Sequence, residues 1–361
     1  MSTLPHPPQD RRQAGMVSIM VTMVLMIVIS LIVLGFAQIS RRNQREVLDR
    51  QLSTQAFYAA ESGVNDVRNL VQQAYATGTT VPPKTGCDAG SGATQAFYGS
   101  LNATLSSANS VSYSCIMVNP TPTSLVYNNV STNSILVPVQ SANGSAINNI
   151  TLTWQSKLTT NTPLNGCPAN TSSVFSSTSS WSCGYGVLRF DLVPTSGSLS
   201  TNSLLTSTMT AFLVPTQAAG VGNGQGSVGY AADRSNANTV SSVSCTNSQC
   251  SMTITGLSNT QYALRISSLY QDASLQISAQ NGGTSLPLQN AQVVIDSTGK
   301  AQDVLRRIQV HVPLTPTSRN QLPDYALEST DSVCKRFSVM QGYFNNDAAT
   351  YAPNGNNPLC Q

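Results

Sequence analysis

The feature that most constrains this chain is a long stretch near its N-terminus that carries no charge. No Asp, Glu, Lys or Arg occurs between Arg12 and Arg41, and residues 16–37 read MVSIMVTMVLMIVISLIVLGFA. As an α-helix this stretch extends about 33 Å, enough to cross a bilayer core of about 30 Å. A helix is also the form in which a single segment satisfies its backbone hydrogen bonds in lipid. The sequence therefore predicts a transmembrane helix over residues 16–39.

Two other interpretations of this stretch compete with that of a transmembrane helix that packs against other helices. A cleaved secretory signal has a shorter apolar region and a small-x-small site after it, whereas Arg41, Arg42 and Arg45 follow directly here. A plain membrane anchor is the second alternative and stays open. Because basic residues lie on both sides of the span, the positive-inside rule does not fix its orientation.

The residues after the span predict a continuation of the same helix. Residues 40–76 contain no Pro and hold a large share of the charge of the chain. Leu and Val and many Ala recur there at spacings of three and four, which is typical of an amphipathic helix. We expect one helix from about Met16 to about Ala76, whose apolar face packs on its own domain or on neighbouring copies.

A short leader and one motif on this helix resemble a known family. Arg11-Arg12-Gln13-Ala14-Gly15 precedes the apolar stretch, and residues 56–64 read AFYAAESGV. Together they resemble the N-terminal module of type IV minor pilins of the PilX kind, over about residues 11–72. A simpler explanation for the small residues Ala59, Ala60 and Gly63 is that they permit close packing between helices.

The resemblance implies a processing site, binding partners and a cellular location for the protein. A membrane aspartic peptidase, the prepilin peptidase, would cut between Gly15 and Met16, and the new N-terminal residue would be methylated. Residues 1–15 would then be a basic leader. The helix would pack on other pilin subunits in membrane lipid and in a surface pilus, with Ala56, Ala59, Ala60 and Gly63 as packing residues. The fifth mature position is Met20, where major pilins carry Glu, so the resemblance concerns minor subunits.

The rest of the chain, residues 77–361, predicts a mostly antiparallel β region of one or two domains. It is rich in Ser, Thr, Asn and Gly and holds only 21 of the 33 charged residues. Short segments alternate between apolar and polar residues, as strands do. A boundary between two domains is conceivable near Gly220–Gly229. The strands are predicted at Val111–Val118, Ile135–Val139, Ile150–Gln155, Gly186–Val193, Tyr262–Leu269, Leu275–Ala279, Gln292–Ile295 and Val304–Leu314.

Eight cysteines lie in this region and none precedes it. An even count after a membrane span predicts disulfides and an oxidising compartment, which places the leader inside and the region after Ile39 outside the cytoplasmic membrane. Although 105 pairings are possible, the spacing favours sequential pairs. The last would resemble the terminal disulfide loop of many pilins. The expected pairs are Cys87–Cys115, Cys167–Cys183, Cys245–Cys250 and Cys334–Cys360.

The sequence offers little enzymatic, metal or nucleic-acid chemistry. The histidines are His6 and His311, and His311 is expected at a solvated strand position and not in a Ser-His-Asp triad. Clustered Lys and Arg for nucleic acid are lacking. Asp324, Glu328 and Asp331 lack the spacing of a calcium-binding loop. We therefore expect no catalytic residue, metal or cofactor.

The class of fold predicted is α+β, with a long helix followed by an extracytoplasmic β region. The function expected is that of a pilin-like structural subunit, a minor pilin in assembly or in adhesion to a surface receptor. A membrane-anchored ectodomain that binds a receptor outside any filament is the second hypothesis. An anchored hydrolase using His311 is the third.

Overall fold

The computed structural model describes residues 13–88, 90–99, 101, 104–106, 110–156, 166–168, 181–197, 206–216, 225–232, 240–243, 245–246 and 249–314. It contains one long apolar N-terminal helix and, after it, a mostly antiparallel β region, as predicted. Within the described residues the elements that follow the long helix are a single-turn helix and short strands.

Helix α1 runs from Gln13 to Thr77 without a break. It begins three residues before the predicted start and ends one residue after the predicted end. Gly78 ends it, because its φ of 70° is a left-handed conformation that glycine adopts at low cost. The backbone N–H of Thr79 then donates to the carbonyl of Ala74 at 2.8 Å, which satisfies one of the last carbonyls of the helix.

In the part of the chain that the structure describes, seventeen strands follow, together with helix α2 (Ala93–Tyr98). Every predicted strand overlaps an observed strand, and most predicted ends lie within two residues of the observed ends. The strands are β1 (Thr104–Ser106), β2 (Val111–Asn119), β3 (Ser124–Val130), β4 (Ile135–Ser141), β5 (Asn149–Ser156), β6 (Val187–Pro194), β7 (Met209–Pro215), β8 (Gln225–Gly229), β9 (Val240–Val243), β10 (Cys245–Thr246), β11 (Gln249–Thr255), β12 (Gln261–Leu269), β13 (Ala273–Asn281), β14 (Thr284–Ser285), β15 (Leu288–Gln289), β16 (Gln292–Ala301) and β17 (Val304–Pro313).

The strands form three sheets. Their orders are β1-β2-β16-β17, β10-β11-β5-β13-β14 and β15-β4-β12-β6-β7-β9, and in the second sheet β3 also pairs with β13 and β8 with β11. Most pairs are antiparallel, but β8 runs parallel to β11 and β9 runs parallel to β7.

The chain divides into two compact units. The first comprises Met1–Val64, Asn102–Cys115 and Ser297–Ile308, and the second comprises Asn65–Leu101, Ile116–Asp296 and Gln309–Gln361. Within the first unit, the last turns of its part of α1 lie on strand residues 111–115 and 297–301. The described residues around the expected boundary at Gly220–Gly229 belong to the second unit, where β8 pairs with β11.

The second unit contains the main hydrophobic core. Inward-facing residues of β5 and β13 belong to the same buried cluster as those of β6 and β12, so the two larger sheets share one core. Along β5 the buried residues are Ile150, Leu152 and Trp154, separated by half-buried threonines, which is the alternation of a strand with one buried face. The indole nitrogen of Trp154 donates to the carbonyl of Gly186 at 3.3 Å, so its polar group is satisfied inside the core.

Disulfides fasten the β region. Cys167 bonds to Cys183, and Cys245 bonds to Cys250 across the β10–β11 hairpin. Cys87 and Cys115 are also disulfide-bonded. The expected pair Cys334–Cys360 lies outside the described residues.

Candidate functional site: the exposed and packed halves of the long helix

The N-terminal half of α1 has no partner within the described chain. Its residues from 17 to 51 are all exposed, although most of residues 17–39 are large and apolar. Met20 and Met26 are each more than 70% exposed. By length and composition this segment can cross a membrane. Apolar surface on this scale is costly in water, so another apolar phase or another protein must cover it.

The resemblance placed the processing site at the start of this helix. Gly15 and Met16 lie in the first turn of α1, which begins at Gln13. The leader before Gln13, including His6, lies outside the described residues.

The next segment of the helix, residues 40–55, carries charge on its surface. Arg50 donates to Glu46 one turn earlier at 2.6 Å, but both side chains are exposed and such a pair contributes little to stability. Further along, Arg306 on β17 donates from Nε to the hydroxyl of Ser53 at 2.8 Å. This contact joins α1 to the strands of the same unit where the buried part of the helix begins.

The packing residues predicted on α1 face the strands of their own chain. Ala56, Ala59 and Ala60 are at most 1% exposed, and Gly63 lies on the same side of the helix. A Cβ added to Gly63 would lie 2.5 Å from the hydroxyl of Ser297 and 2.9 Å from the ring of Tyr113. Glycine is therefore needed where the helix crosses these strands.

A second glycine completes this contact from the strand side. A Cβ added to Gly299 on β16 would overlap the carbonyl oxygen of Ala56 and the backbone nitrogen of Ala60. Small residues on the helix and a glycine on the strand thus let the two backbones touch. The sequence reasoning found the helix half of this contact and missed Gly299, Tyr113 and Ser297. An isolated Gly inside a strand was the available signal, because it often marks close approach of another backbone.

The opposite side of the packed segment remains open. Phe57 is 47% exposed and Tyr58 is 60% exposed, although their neighbours Ala56 and Ala59 are buried. Their rings contact each other edge to face, with centroids 5.9 Å apart. Two adjacent aromatic rings on an exposed helix face are unusual outside a contact surface.

Among the residues that the structure describes, His311 is one of four that hold a buried side-chain polar atom without a hydrogen-bond partner, the others being Arg189, Asp191 and Ser297. Within the described residues no three His, Cys, Asp or Glu side chains cluster closely enough to hold a metal ion. Asp324, Glu328 and Asp331 lie outside those residues. His311 lies on β17 as expected but is half-buried, and its Nδ1 is shielded from solvent with no hydrogen-bond partner in the structure. Burial lowers the pKa of the His311 imidazole, so the neutral ring is favoured.

Comparison with known proteins identified no relative of this chain. No family model, no curated protein and no solved structure matches it.

Proposed function

We propose that this protein is a pilin-like structural subunit, a minor pilin of a type IV pilus-like filament. The apolar half of α1 holds the subunit in the cytoplasmic membrane before assembly and packs among other subunits afterwards. The disulfide-bonded β region lies on the outer side of the membrane, where an oxidising compartment maintains its disulfides. The protein acts by assembly or display and not by catalysis.

One observation carries this proposal. A single helix is bare and apolar over its first half and is fixed to strands of its own chain at Ala56, Ala59 and Ala60. Such a helix is fixed to the strands of its own unit while its other half stays available to lipid or to neighbouring helices. A membrane tether that only holds a binding domain needs no such extension, since a flexible linker serves equally well.

The chemistry of the N-terminus tests the proposal directly. The protein would be isolated from membranes and from filaments sheared off the cell surface, and its N-terminal peptide measured by mass spectrometry. We expect a chain that begins at N-methylated Met16 and that occurs in both fractions. A Gly15→Val variant should keep residues 1–15 and disappear from the filaments, whereas the matched control Ala14→Ser should behave as the wild type.

The N-terminal measurement also tests the second hypothesis, and an activity assay tests the third. A chain that keeps residues 1–15 in the membrane and never occurs in filaments would be an anchored binding module, and the pilin proposal would be wrong. A hydrolytic activity that disappears in His311→Ala would instead support the anchored hydrolase.

A further inference from the structure

A cleft of about 700 Å³ opens in the second unit at the outer side of β3. Its walls come from β3, from the residues that follow β3 and from the end of β17. We call it the His311 cleft, and the residues that matter here are Tyr127, Asn128, Asn133, Gln292, Gln309 and His311. It has the size of ordinary small-molecule sites.

The described lining of the His311 cleft combines polar and apolar side chains and carries no Asp, Glu, Lys or Arg. The lining residue Ser134 accepts a hydrogen bond from Nε of Arg265 at 2.9 Å, and the guanidinium of Arg265 also faces Asp191 at 4.0 Å. A charged ligand would therefore lose its hydration without meeting a free opposite charge. An uncharged ligand pays no such penalty.

Several hydrogen-bonding side chains of the cleft have no protein partner. The side-chain amides of Asn128, Asn133 and Gln309 are exposed and make no side-chain hydrogen bond within the described chain. Each amide offers two donors and one acceptor oxygen, a pattern that matches neighbouring hydroxyl groups. His311 adds an imidazole whose neutral form is favoured because burial lowers its pKa, and since its Nδ1 is shielded from solvent, Nε2 is the ring nitrogen left for a ligand.

The wall behind these groups is rigid and partly aromatic. Gln292 is 1% exposed, and its amide bonds twice to the backbone of Val126, accepting from the N–H at 2.8 Å and donating to the carbonyl at 2.7 Å. These two bonds hold β3 in place. The next residue on β3, Tyr127, packs against the core and also lines the cleft. A flat ring beside free amides suits a ligand with one C–H face and many hydroxyls.

We propose that the His311 cleft binds an uncharged polyhydroxylated ligand, namely a neutral saccharide unit. Free amides and the imidazole pair with its hydroxyls, and the Tyr127 ring covers its C–H face. An apolar ligand is disfavoured because it would leave those amides unpaired. The proposal goes beyond the pilin-like role and holds whether or not the protein enters a filament.

The test uses the full-length chain in micelles of lauryldimethylamine oxide, a detergent without a sugar head group. Lactose, maltose, cellobiose and N,N′-diacetylchitobiose serve as neutral probes, and lactose 3′-sulfate serves as the charged counterpart of lactose. Saturation-transfer NMR measures binding. We expect saturation transfer to at least one neutral disaccharide and at least tenfold weaker binding of a sulfated probe.

Variants connect the signal to the cleft. Gln309→Ala lies at the exposed rim and should fold normally while weakening binding several-fold, and His311→Phe should weaken it at least tenfold. Gln276→Ala, on an exposed position of β13 outside the cleft, is the matched control and should bind as the wild type does. Binding of none of the neutral probes, equal binding of the sulfated probe, or unchanged binding by Gln309→Ala would each overturn the proposal.

Discussion

At the scale of single residues, two glycines permit α1 to lie against its strands. Gly63 on the helix and Gly299 on β16 are each needed for a different reason. Gly63 leaves room for the side chains of Tyr113 and Ser297, whereas Gly299 leaves room for the backbone of the helix itself. A flexible side chain can move away from an added methyl group, but a helix backbone cannot, so Gly299 is the less replaceable of the two.

We therefore expect Gly299→Ala to destabilise the protein by about 1–3 kcal/mol, the usual cost of overpacking. Thermal unfolding followed by circular dichroism in micelles measures the effect. Gly229→Ala is the control, because an added Cβ there meets nothing within 4 Å. An unchanged melting temperature in Gly299→Ala would mean that the helix does not rest on β16.

The side chain of Gln292 makes hydrogen bonds to β3 of the kind that a neighbouring strand would make. Its two hydrogen bonds satisfy the N–H and the carbonyl of Val126 at a sheet edge. Gln292→Leu keeps a similar volume but leaves both backbone groups without a partner, at about 1–3 kcal/mol for each. Denaturant unfolding should show a loss of several kcal/mol, whereas the exposed control Gln276→Leu should change little. Equal stability of the two variants would contradict this role.

The pKa of His311 predicts how stability depends on pH. Burial lowers this pKa in the folded chain, while the unfolded chain titrates near the ordinary value of about 6.5. Below pH 6.5 the imidazole of the unfolded chain binds a proton more readily than that of the folded chain. The free energy of unfolding is therefore unaffected by His311 at neutral pH and decreases as the pH falls below 6.5.

Between pH 7.5 and 5.5 we expect the melting temperature of the wild type to fall. The fall should be smaller in His311→Gln, which cannot be protonated, and carboxylates contribute little in this range because they titrate lower. A fall of the same size in the variant would show that His311 does not cause it.

At the scale of elements, the sequence was informative wherever a local pattern determines the structure. The long helix followed from its apolar run and its spacing of three and four, and β5, β6 and β12 followed from alternation. The strands missed include β3, β7, β8 and β11. β3 and β8 contain Asn, Ser and Gly, which alternation does not reveal, but β11 alternates buried Cys250, Met252 and Ile254 with polar residues and was missed although its pattern was visible. The parallel pairing of β8 with β11 passes over β9 and β10, which lie between them in the chain, so no local pattern predicts it.

The same limit explains the candidate site. The small residues of α1 were visible in the sequence, but their partner was not, since Ala56 and Gly299 are far apart in the chain. The sequence left open whether this face packs on its own domain or on neighbouring copies. In the structure Ala56, Ala59 and Ala60 are covered by the chain's own strands. Any neighbouring subunit must therefore use another side of the helix.

The exposed rings of Phe57 and Tyr58 mark that other side, and this gives a prediction for assembly. A carboxylate at position 58 would be buried without a partner in a contact between subunits. We expect Tyr58→Asp to leave the melting temperature unchanged but to reduce the amount of protein in sheared filaments several-fold. Glu61→Gln, at an exposed position about one helical turn after Tyr58, is the control. Normal incorporation of Tyr58→Asp would exclude this face as the contact surface.

At the scale of the whole molecule, charge and covalent bonds are divided along the chain. The first 76 residues hold 12 of the 33 charges and no cysteine, whereas the β region is poor in charge and holds all eight cysteines. A β region with little charge depends little on ion pairs, which salt screens. Its stability rests instead on its core and its disulfides, which salt does not screen.

The bare half of α1 leads to the last prediction, which concerns where the protein resides. Ile27 lies near the middle of the apolar stretch and is 55% exposed. A lysine at the centre of a membrane helix costs about 3 kcal/mol for insertion, so Ile27→Lys should lower the fraction of protein that resists extraction from membranes by alkaline carbonate. Ile27→Ala removes the same side chain without adding charge and should stay in the membrane. Because the β region has its own core, both variants should keep the same β-sheet signal in circular dichroism. If Ile27→Lys partitions as the wild type does, the exposed half of the helix is covered by protein and not by lipid.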